Sequence, residues 1–238
     1  MKKRIAILLL LGVQHTTFAG VIIEQTRVIF PQENPSVAIQ LYNKSRTTHL
    51  VQSWIDDGRP EIKPENMSVP FFVSPPVVKI NAHEGQMLKI IPNEKIASLP
   101  ANQEQAYWLN VLDVPPEPEV KPAGKHYLQV ALRHRIKLLW RPKKLAMPPE
   151  KIPAHVGFSY TRAGKICLNN ETPYYLTLTH LSIGGQKSEQ ENLLTHTAFI
   201  PPYSCSADFI KAKKIIRGEY RATYINDDGA KVNFTFLY

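Results

Sequence analysis

The sequence predicts an all-β protein in which two β-sandwich domains follow one another along 238 residues. Short stretches of alternating apolar and polar residues recur along the chain, and turn-forming residues separate them. Proline, with 20 residues against 11 of glycine, favours strand ends and rigid loops over long helices. The apolar fraction of 43% is ordinary for a globular protein, so each domain can form a core.

The N-terminal 19 residues have the three regions of a secretory signal peptide. A basic stretch, KKR at 2–4, precedes an apolar stretch at 5–13, and TFA at 17–19 matches a small-x-small cleavage site. The apolar stretch is too short to span a bilayer, and a buried N-terminal helix is the alternative. We therefore expect cleavage after Ala19, export of residues 20–238 and no membrane insertion.

The net charge of +9 falls to +6 once the three cations of the signal peptide are removed. A moderately basic surface suits nucleic acid, a membrane or an acidic partner protein. The remaining cations are scattered, apart from KAKK at 211–214 and one strand described below. Because an exported protein rarely meets nucleic acid, we expect no nucleic-acid partner, and the charge alone selects none of the others.

The first domain is predicted to cover 20–142, with strands spaced as in a β-sandwich. Turn-forming residues end or follow each strand. Before the last strand, the predicted strands are VIIEQTRVIF (21–30), SVAIQLYN (36–43), HLVQSWID (49–56), FFVSPPVVKINAHEG (71–85, broken at the proline pair 75–76), QMLKIIPN (86–93) and QAYWLNVLDVPP (105–116).

The last predicted strand of the first domain, LQVALRHRIKLLWRP at 128–142, has an unusual charge pattern. Apolar residues alternate along it, and the opposite parity carries four cations, Arg133, Arg135, Lys137 and Arg141. Like charges at i and i+2 on one face of a strand repel each other. A strand that needs no partner has no reason to collect them, so the pattern indicates a binding surface.

A proline-rich linker at 143–150 leads to a second, smaller all-β domain at 151–238. No convincing sequence repeat relates the two halves. The predicted strands are VGFSYTR (156–162), KICLNN (165–170), YYLTLTHLSI (174–183), TAFIPPYSCSADFI (197–210), GEYRATYIND (218–227) and KVNFTFLY (231–238), with turns at Gly164, Asn169-Asn170, Gly184-Gly185 and Asp228-Gly229.

The only two cysteines, Cys167 and Cys205, both lie in the second domain. Export makes an oxidising compartment available, so one disulfide within the domain is the natural interpretation. A pair of metal-ligating thiolates is the alternative, and no histidine at ligand spacing supports it.

No motif in the sequence indicates catalysis. HxH and HExxH pairs, a GxSxG elbow, a phosphate-binding loop and a dinucleotide fingerprint are absent. The acidic pairs at 56–57 and 227–228 lie next to glycine, where aspartate is common in turns. A triad assembled from distant loops leaves no such signature. We nevertheless expect neither an enzyme nor a metal or other cofactor.

Five motifs in order give the chain a resemblance to a known family. They are QTRVIF (25–30), SPPV (74–77), YWLNVLDVPP (107–116), LQVALRHRIKLLWRP (128–142) and YINDDGA (224–230). Together they resemble the periplasmic pilus chaperones of the chaperone–usher pathway, the PapD-like family. The resemblance covers essentially the whole mature chain. It implies two immunoglobulin-like sandwiches in a boomerang arrangement with a cleft between them, located in the periplasm.

The resemblance also gives the cationic strand a function. It implies that the strand at 128–138 lies at a sheet edge and is lent to a pilin subunit that lacks its own final strand. Leu128, Val130 and Leu132 would then enter the groove of the subunit, with ordinary core packing as the alternative. The implied partners are pilin or fimbrial subunits and an outer-membrane usher, and the resemblance allows a self-capping homodimer of the free protein.

Two cations match the family's anchor for the C-terminal carboxylate of the subunit. They are Arg27 on the first strand and Lys137 late in the donor strand, two like charges that await an anion. The resemblance gives Arg133 and Arg135 no role, so they are expected either in solvent or against an acidic rim of the subunit.

Three further residues, Glu104, Arg141 and Asp227, match an interdomain ion-pair network that fixes the cleft angle. The segment EPEVKPAGKH at 117–126 lacks the apolar ladder and the flanking cysteines of the long-loop subfamily. The short-loop type is therefore expected.

Two other protein classes compete with a chaperone. An exported β-sandwich adhesin or ligand-binding module would explain the signal peptide and the strands, but not the positions of Arg27 and Lys137. A secreted enzyme would need a clustered polar site, which the sequence does not indicate.

Overall fold

The computed structural model describes residues 20–117, 128–184, 191–211 and 215–238, so the predicted signal peptide and most of the 117–126 loop lie outside the described residues. The strands of the first domain are β1 (Val21–Ile23), β2 (Arg27–Pro31), β3 (Val37–Asn43), β4 (His49–Asp56), β5 (Phe71–Ser74), β6 (Val77–Ile80), β7 (Gly85–Pro92), β8 (Gln105–Val114) and β9 (Leu132–Arg141). Those of the second are β10 (Val156–Tyr160), β11 (Ile166–Asn170), β12 (Leu176–Ile183), β13 (Ala198–Ile200), β14 (Ser204–Ser206), β15 (Glu219–Ile225) and β16 (Lys231–Leu237). Within the described ranges, three short 3-10 helices cover Pro64–Asn66, Glu94–Ser98 and Pro149–His155.

Two sheets form the first domain. One has the strand order β1-β3-β7-β5, and the other has the order β2-β9-β8-β4-β6. Apolar residues from both sheets meet in one core, with Leu41 and Leu88 from the first sheet and Leu109, Leu138 and Trp140 from the second fully or almost fully buried. The alternation along each strand places these residues on its inner face.

The prediction of a single first strand over 21–30 is wrong. β1 pairs antiparallel with β3 in one sheet, whereas β2 pairs parallel with β9 in the other. Three exposed polar residues at 24–26 carry the chain across. Val21 and Phe30 bury their side chains in the same core, because that core lies between the two sheets. Apolar alternation gives both segments an inner face without indicating which sheet either joins.

β9 begins at Leu132 rather than at the predicted position 128. Its last pairing with β8 joins Asp113 to Leu132. Beyond Val114, β8 runs into two prolines at 115–116, which have no backbone N–H to donate. Residues 128–131 therefore precede β9 without a ladder partner in the described chain.

The second domain has sheets in the orders β10-β11-β14 and β13-β12-β15-β16 around a separate core. The predicted disulfide is present and joins Cys167 on β11 to Cys205 on β14. The 3-10 helix Pro149–His155 begins inside the predicted linker and buries Ile152, while Leu145 and Met147 pack against the second core. The prediction of an all-β chain with two sandwich domains is confirmed. Among the described residues, no helix combines the length and apolar character that crossing a bilayer requires.

Candidate functional site

The first half of β9 has an open edge. On one side β9 pairs with β8 along its length, whereas on the other side β2 covers only residues 137–141. No strand of the described ranges pairs with 132–136 on that second side. The apolar residues of this stretch and its continuation are exposed: Leu128 by 88%, Val130 by 54% and Leu132 by 44%. The core-packing alternative for these three residues is therefore wrong.

The open edge ends at a pair of cations. The parallel register of β2 and β9 places Arg27 directly beside Lys137. Arg27 is 8% exposed and its Nη1 donates to the carbonyl of Ile225 at 3.0 Å, while its Nε has no hydrogen-bond partner in the described chain. The Lys137 Nζ lies 4.7 Å from the ring centroid of Phe199. Within the described ranges, neither cation forms an ion pair with a carboxylate.

The electrostatics of the pair favour an incoming anion. Burial, followed by the positive charges of Arg27 and Arg135, lowers the pKa of Lys137 below its usual value. Burial also lowers the pKa of Arg27, although Asp227 and Glu104 partly oppose this effect. A carboxylate would relieve the repulsion between the two cations and could accept hydrogen bonds from both.

The two remaining unassigned cations of β9 pair with a buried aspartate. Arg135 contacts both carboxylate oxygens of Asp56, with Nε at 2.9 Å and Nη2 at 2.6 Å. Arg133 donates to Asn110 Oδ1 at 2.8 Å, and Asn110 in turn donates to Asp56 at 2.7 Å. Arg135 is therefore held by a counter-ion within the chain, whereas Arg133 is exposed as expected. Contact of either arginine with an acidic rim of the subunit stays a prediction.

Aromatic rings complete this network. The Arg133 guanidinium lies 5.2 Å from the centroid of Trp54, and that of Arg135 lies 4.7 Å from Trp108. Burial alone would raise the pKa of Asp56, but the hydrogen bonds from Arg135 and Asn110 hold it below its usual value. Asp56 is the turn residue that its Asp-Asp-Gly context predicts, since its Oδ1 accepts from the backbone N–H of Gly58 at 2.7 Å. It is also 1% exposed, so it acts as a buried counter-ion, which that context does not predict.

The fourth cation of β9, Arg141, joins the two domains. Its Nε lies 2.7 Å from Glu104 Oε1, and its Nη1 and Nη2 lie 2.6 and 2.7 Å from the two oxygens of Asp227. Glu104 also accepts from the backbone N–H of Tyr175 at 2.8 Å. Burial alone would lower the pKa of Arg141, but Asp227 and Glu104 raise it well above its usual value. The three residues that the resemblance groups together therefore meet at the domain junction.

The hairpin between β15 and β16 positions Asp227 next to Arg141. Asp227 lies in the hairpin between β15 and β16, where the N–H of Asn226 donates to the carbonyl of Ala230 and the N–H of Gly229 donates back to Asn226. Gly229 has a φ of +80°, which favours glycine, and a side chain there would collide with Thr26 of the first domain. The glycine of YINDDGA thus permits the hairpin to approach β2 closely.

One buried polar cluster has no signal in the sequence. His49 Nδ1 lies 2.5 Å from Asp113 Oδ1, and the backbone N–H of Val21 donates to Asp113 Oδ2 at 2.8 Å. The cluster ties β1 of one sheet to β8 of the other. Among the described residues, no group of three or more histidine, cysteine, aspartate or glutamate side chains could hold a metal ion.

Comparison with known proteins identifies the family. Residues 20–146 match the family described as "Pili and flagellar-assembly chaperone, PapD N-terminal domain", and residues 151–236 match "Pili assembly chaperone PapD, C-terminal domain". The chain is 34% identical over 231 residues to the probable fimbrial chaperone YehC of Escherichia coli K12, which covers 95% of this chain and 90% of that protein. It is 34% identical to the chaperone protein HifB of Haemophilus influenzae over 89% of this chain and 85% of HifB.

Solved structures agree with the sequence comparisons. The crystal structure of the periplasmic chaperone SfaE superposes with a TM-score of 0.71 at 29% identity, covering 92% of this chain and 98% of SfaE. That of the YadV chaperone gives a TM-score of 0.72 at 28% identity over 92% and 100% of the two chains. The SafB chaperone of Salmonella enterica, solved with the SafA pilin, shares the fold with a TM-score of 0.74 at 22% identity over 92% and 96%. The chain therefore belongs to the PapD-like family of periplasmic chaperones, non-enzymatic proteins that assemble pili.

Proposed function

We propose that the chain captures pilin subunits by lending them residues 128–136 as a strand, while Arg27 and Lys137 bind the C-terminal carboxylate of the subunit. One observation carries this proposal. The open edge of β9 ends at Ile136, directly before a cation pair that has no carboxylate partner in the described chain.

The open edge suits strand addition. Backbone N–H and C=O groups along 132–136 can form ladder hydrogen bonds with any extended segment, which gives affinity without reading its sequence. Alternate side chains then enter the groove of the subunit, and Leu128, Val130 and Leu132 have the spacing and exposure for it. Burying each one stabilises a complex by roughly 1.5 to 3 kcal/mol.

The carboxylate anchor complements the strand by fixing the register. A ladder can slip by two residues and keep the same faces, so backbone pairing alone leaves the register open. A terminal carboxylate held by Arg27 and Lys137 allows only one position of the subunit along β9. The subunit strand is then aligned with the donated side chains.

Capture of this kind protects the subunit until assembly. An unpaired strand edge and an open apolar groove both promote aggregation, and each covers the other in the complex. As a family member, the chain delivers pilin subunits to an outer-membrane usher. The exposed apolar residues of the free protein would be covered in a self-capping homodimer, which binding of a subunit would displace. We propose the short-loop type for this chain, on the composition of 117–126 alone.

A substitution in the donated segment tests this function. In Val130→Asp the charge would face the apolar groove of the subunit, so we expect loss of subunit capture, while the free protein keeps its fold because Val130 is 54% exposed. Capture is measured by co-purification of pilin subunits from the periplasm, and folding by circular dichroism. Val77→Asp is a matched control, since Val77 is 53% exposed on β6 at the far edge of the same sheet. Capture by Val130→Asp at the level of this control would overturn the assignment of the donated segment.

A further inference from the structure

The Lys137 ammonium contacts a ring of the second domain. Phe199 lies at the centre of β13, the edge strand of its sheet. Its neighbours Ala198 and Ile200 are completely buried in the second core, so the Phe199 side chain points the other way, toward the first domain. The Lys137 Nζ lies 4.7 Å from the centroid of this ring.

The ring of Phe199 is held from two sides. It stacks on Tyr175 with centroids 4.8 Å apart and planes at 18°. It also meets the edge of Trp108 on β8 at 5.9 Å and 75°. The backbone N–H of Tyr175 donates to Glu104, which is the buried carboxylate of the domain junction. The position of the ring therefore depends on both domains and on their junction.

The groups around Lys137 explain why an aromatic ring, rather than a carboxylate of the chain, lies against its ammonium. Arg27 on β2 and Arg135 on β9 are the charged groups that act on the ammonium, and the ring of Phe199 lies against it. Trp108 is the cross-strand partner of Lys137 on β8. In the described chain no acceptor takes a hydrogen bond from its Nζ. A ring face attracts the cation and leaves its N–H donors free, whereas an internal carboxylate would occupy those donors and compete with the subunit.

We propose that Phe199 is a positioning residue of the carboxylate anchor, whose ring keeps the Lys137 ammonium charged and directed into the cleft. This inference rests on the proposed function, because it assumes that Lys137 binds the carboxylate. It assigns the second domain a contact with the lysine of the anchor, in addition to the carbonyl of Ile225 that accepts from Arg27. The ring supports the ammonium from one side, and the carboxylate approaches its free N–H groups from the other.

The inference predicts a loss that is specific for the charged terminus. Phe199→Leu keeps an apolar side chain but removes the ring face, so the affinity for a free carboxylate should fall roughly threefold to thirtyfold, the range of a cation–π contact. Without the ring Lys137 gives up its proton at a lower pH, because burial and the two arginines already lower its pKa. The alkaline pH at which carboxylate-specific binding is lost should therefore move downward.

The experiment compares two forms of one peptide. The probe is a synthetic peptide that reproduces the C-terminal segment of the pilin subunit that co-purifies with the chain, made with a free or an amidated terminus. Wild type should prefer the acid, Phe199→Leu should lose part of that preference, and Phe199→Tyr should restore it. Phe72→Leu is the control, since Phe72 is 48% exposed on the opposite sheet of the first domain. If Phe199→Leu does not fold by circular dichroism, Phe199→Met replaces it.

A double-mutant cycle separates positioning from structure. In a Lys137→Met background, Phe199→Leu should have no further effect on the preference for the acid. If Phe199→Leu weakens the binding of the acid and the amide peptide equally, the role of Phe199 is structural only and the inference is overturned. The inference is also overturned if Phe199→Leu lowers the preference for the acid as much in the Lys137→Met background as in wild type. A wild type that prefers the acid together with an unchanged Phe199→Leu variant would overturn the role of Phe199 alone. A wild type without any preference would instead overturn the anchor and the inference with it.

Discussion

Among the described residues, Lys137 differs from the other three cations of β9 because it forms no ion pair with a carboxylate. Arg133 and Arg135 share the buried carboxylate of Asp56, and Arg141 pairs with Glu104 and Asp227. In the described ranges Lys137 has no carboxylate partner, and its Nζ lies against the ring of Phe199 beside the positive charges of Arg27 and Arg135. One strand therefore carries three cations that are neutralised internally and one that remains available to a ligand.

Asp56 should be important for stability. In Asp56→Asn the shape of the side chain is kept, but two guanidinium groups lose their buried counter-ion. We expect the free energy of unfolding to fall by about 2 to 4 kcal/mol, below the upper end for a buried pair because both arginines are partly exposed. Since hydrogen bonds lower the pKa of Asp56, its contribution is complete at neutral pH and is lost as the pH falls through that lowered pKa. Urea unfolding at several pH values measures both effects.

The neighbouring aspartate provides a matched control. Asp57 pairs with Arg59 at the surface, so Asp57→Asn should change the free energy of unfolding very little. A variant of Asp56 as stable as that control at neutral pH would show that the Asp56 network does not stabilise the fold.

The sequence indicates some of these residues and not others. Arg27 and Lys137 can be predicted because each lies within a motif that resembles a known family. Asp56 cannot, because its context is that of a turn and its partner Arg135 lies 79 positions away. Phe199 has no signal either, since its partner Lys137 belongs to the other domain and alternation predicts only that the ring faces away from its own core.

Strands are easier to predict from the sequence than the sheets to which they belong. Alternation predicts nearly all of β3, β4, β7 and β8, because each buries one face. It does not predict that β1 and β2 join different sheets, since both bury apolar residues in the same core. The start of β9 depends on the prolines that end β8, which lie far from it in the sequence. Pairing partners thus set boundaries that local patterns leave open.

The disulfide should stabilise the second sandwich alone. Cys167 on β11 and Cys205 on the edge strand β14 are 38 positions apart, so the bridge restricts the unfolded chain considerably. Replacing both cysteines by serine should lower the free energy of unfolding by about 2 to 4 kcal/mol. Calorimetry should show the second domain melting earlier while the first domain is unaffected.

Reduction of the wild type gives an independent comparison. Wild type with reductant should melt like the serine variant, and that variant should not respond to reductant. Identical melting of oxidised and reduced wild type would contradict a stabilising bridge.

The two sandwiches act together because the junction and the cleft share residues and contacts. Glu104 binds Arg141 at the junction and also holds the backbone of Tyr175, whose ring stacks on Phe199 beside the anchor. Arg27 reaches the second domain through the carbonyl of Ile225. A change at the junction should therefore alter the cleft.

Arg141→Ala tests the junction. The substitution leaves the almost fully buried carboxylate of Glu104 without its cation, so the free energy of unfolding should fall by about 3 to 5 kcal/mol. Each sandwich has its own core and should remain folded, while small-angle scattering should show a changed or broader arrangement of the domains. Arg59→Ala removes an arginine from a surface pair and serves as control. Scattering and melting curves of Arg141→Ala that match those of wild type would contradict a junction held by this residue.

The central claim is that Arg27 and Lys137 hold the C-terminal carboxylate of a pilin subunit at the end of the donated strand. The most direct measurement is the binding of a subunit-derived C-terminal peptide with a free or an amidated terminus to wild type, Arg27→Met and Lys137→Met. Lys89→Met, which removes an exposed lysine from β7 in the other sheet, is the control.

We expect amidation to weaken binding to wild type by about 2 to 5 kcal/mol, the range for removing one partner of a buried charge pair. Each anchor variant should bind the acid peptide more weakly than wild type does, by a similar free energy. Amidation should weaken its binding little further, because the substitution and the amidation remove the same interaction. The free Lys137→Met variant should be as stable as wild type or slightly more stable, since the two cations no longer repel each other. In Arg27→Met the loss of the hydrogen bond to the carbonyl of Ile225 should offset that gain. Equal binding of the acid and amide peptides to wild type would contradict the anchor.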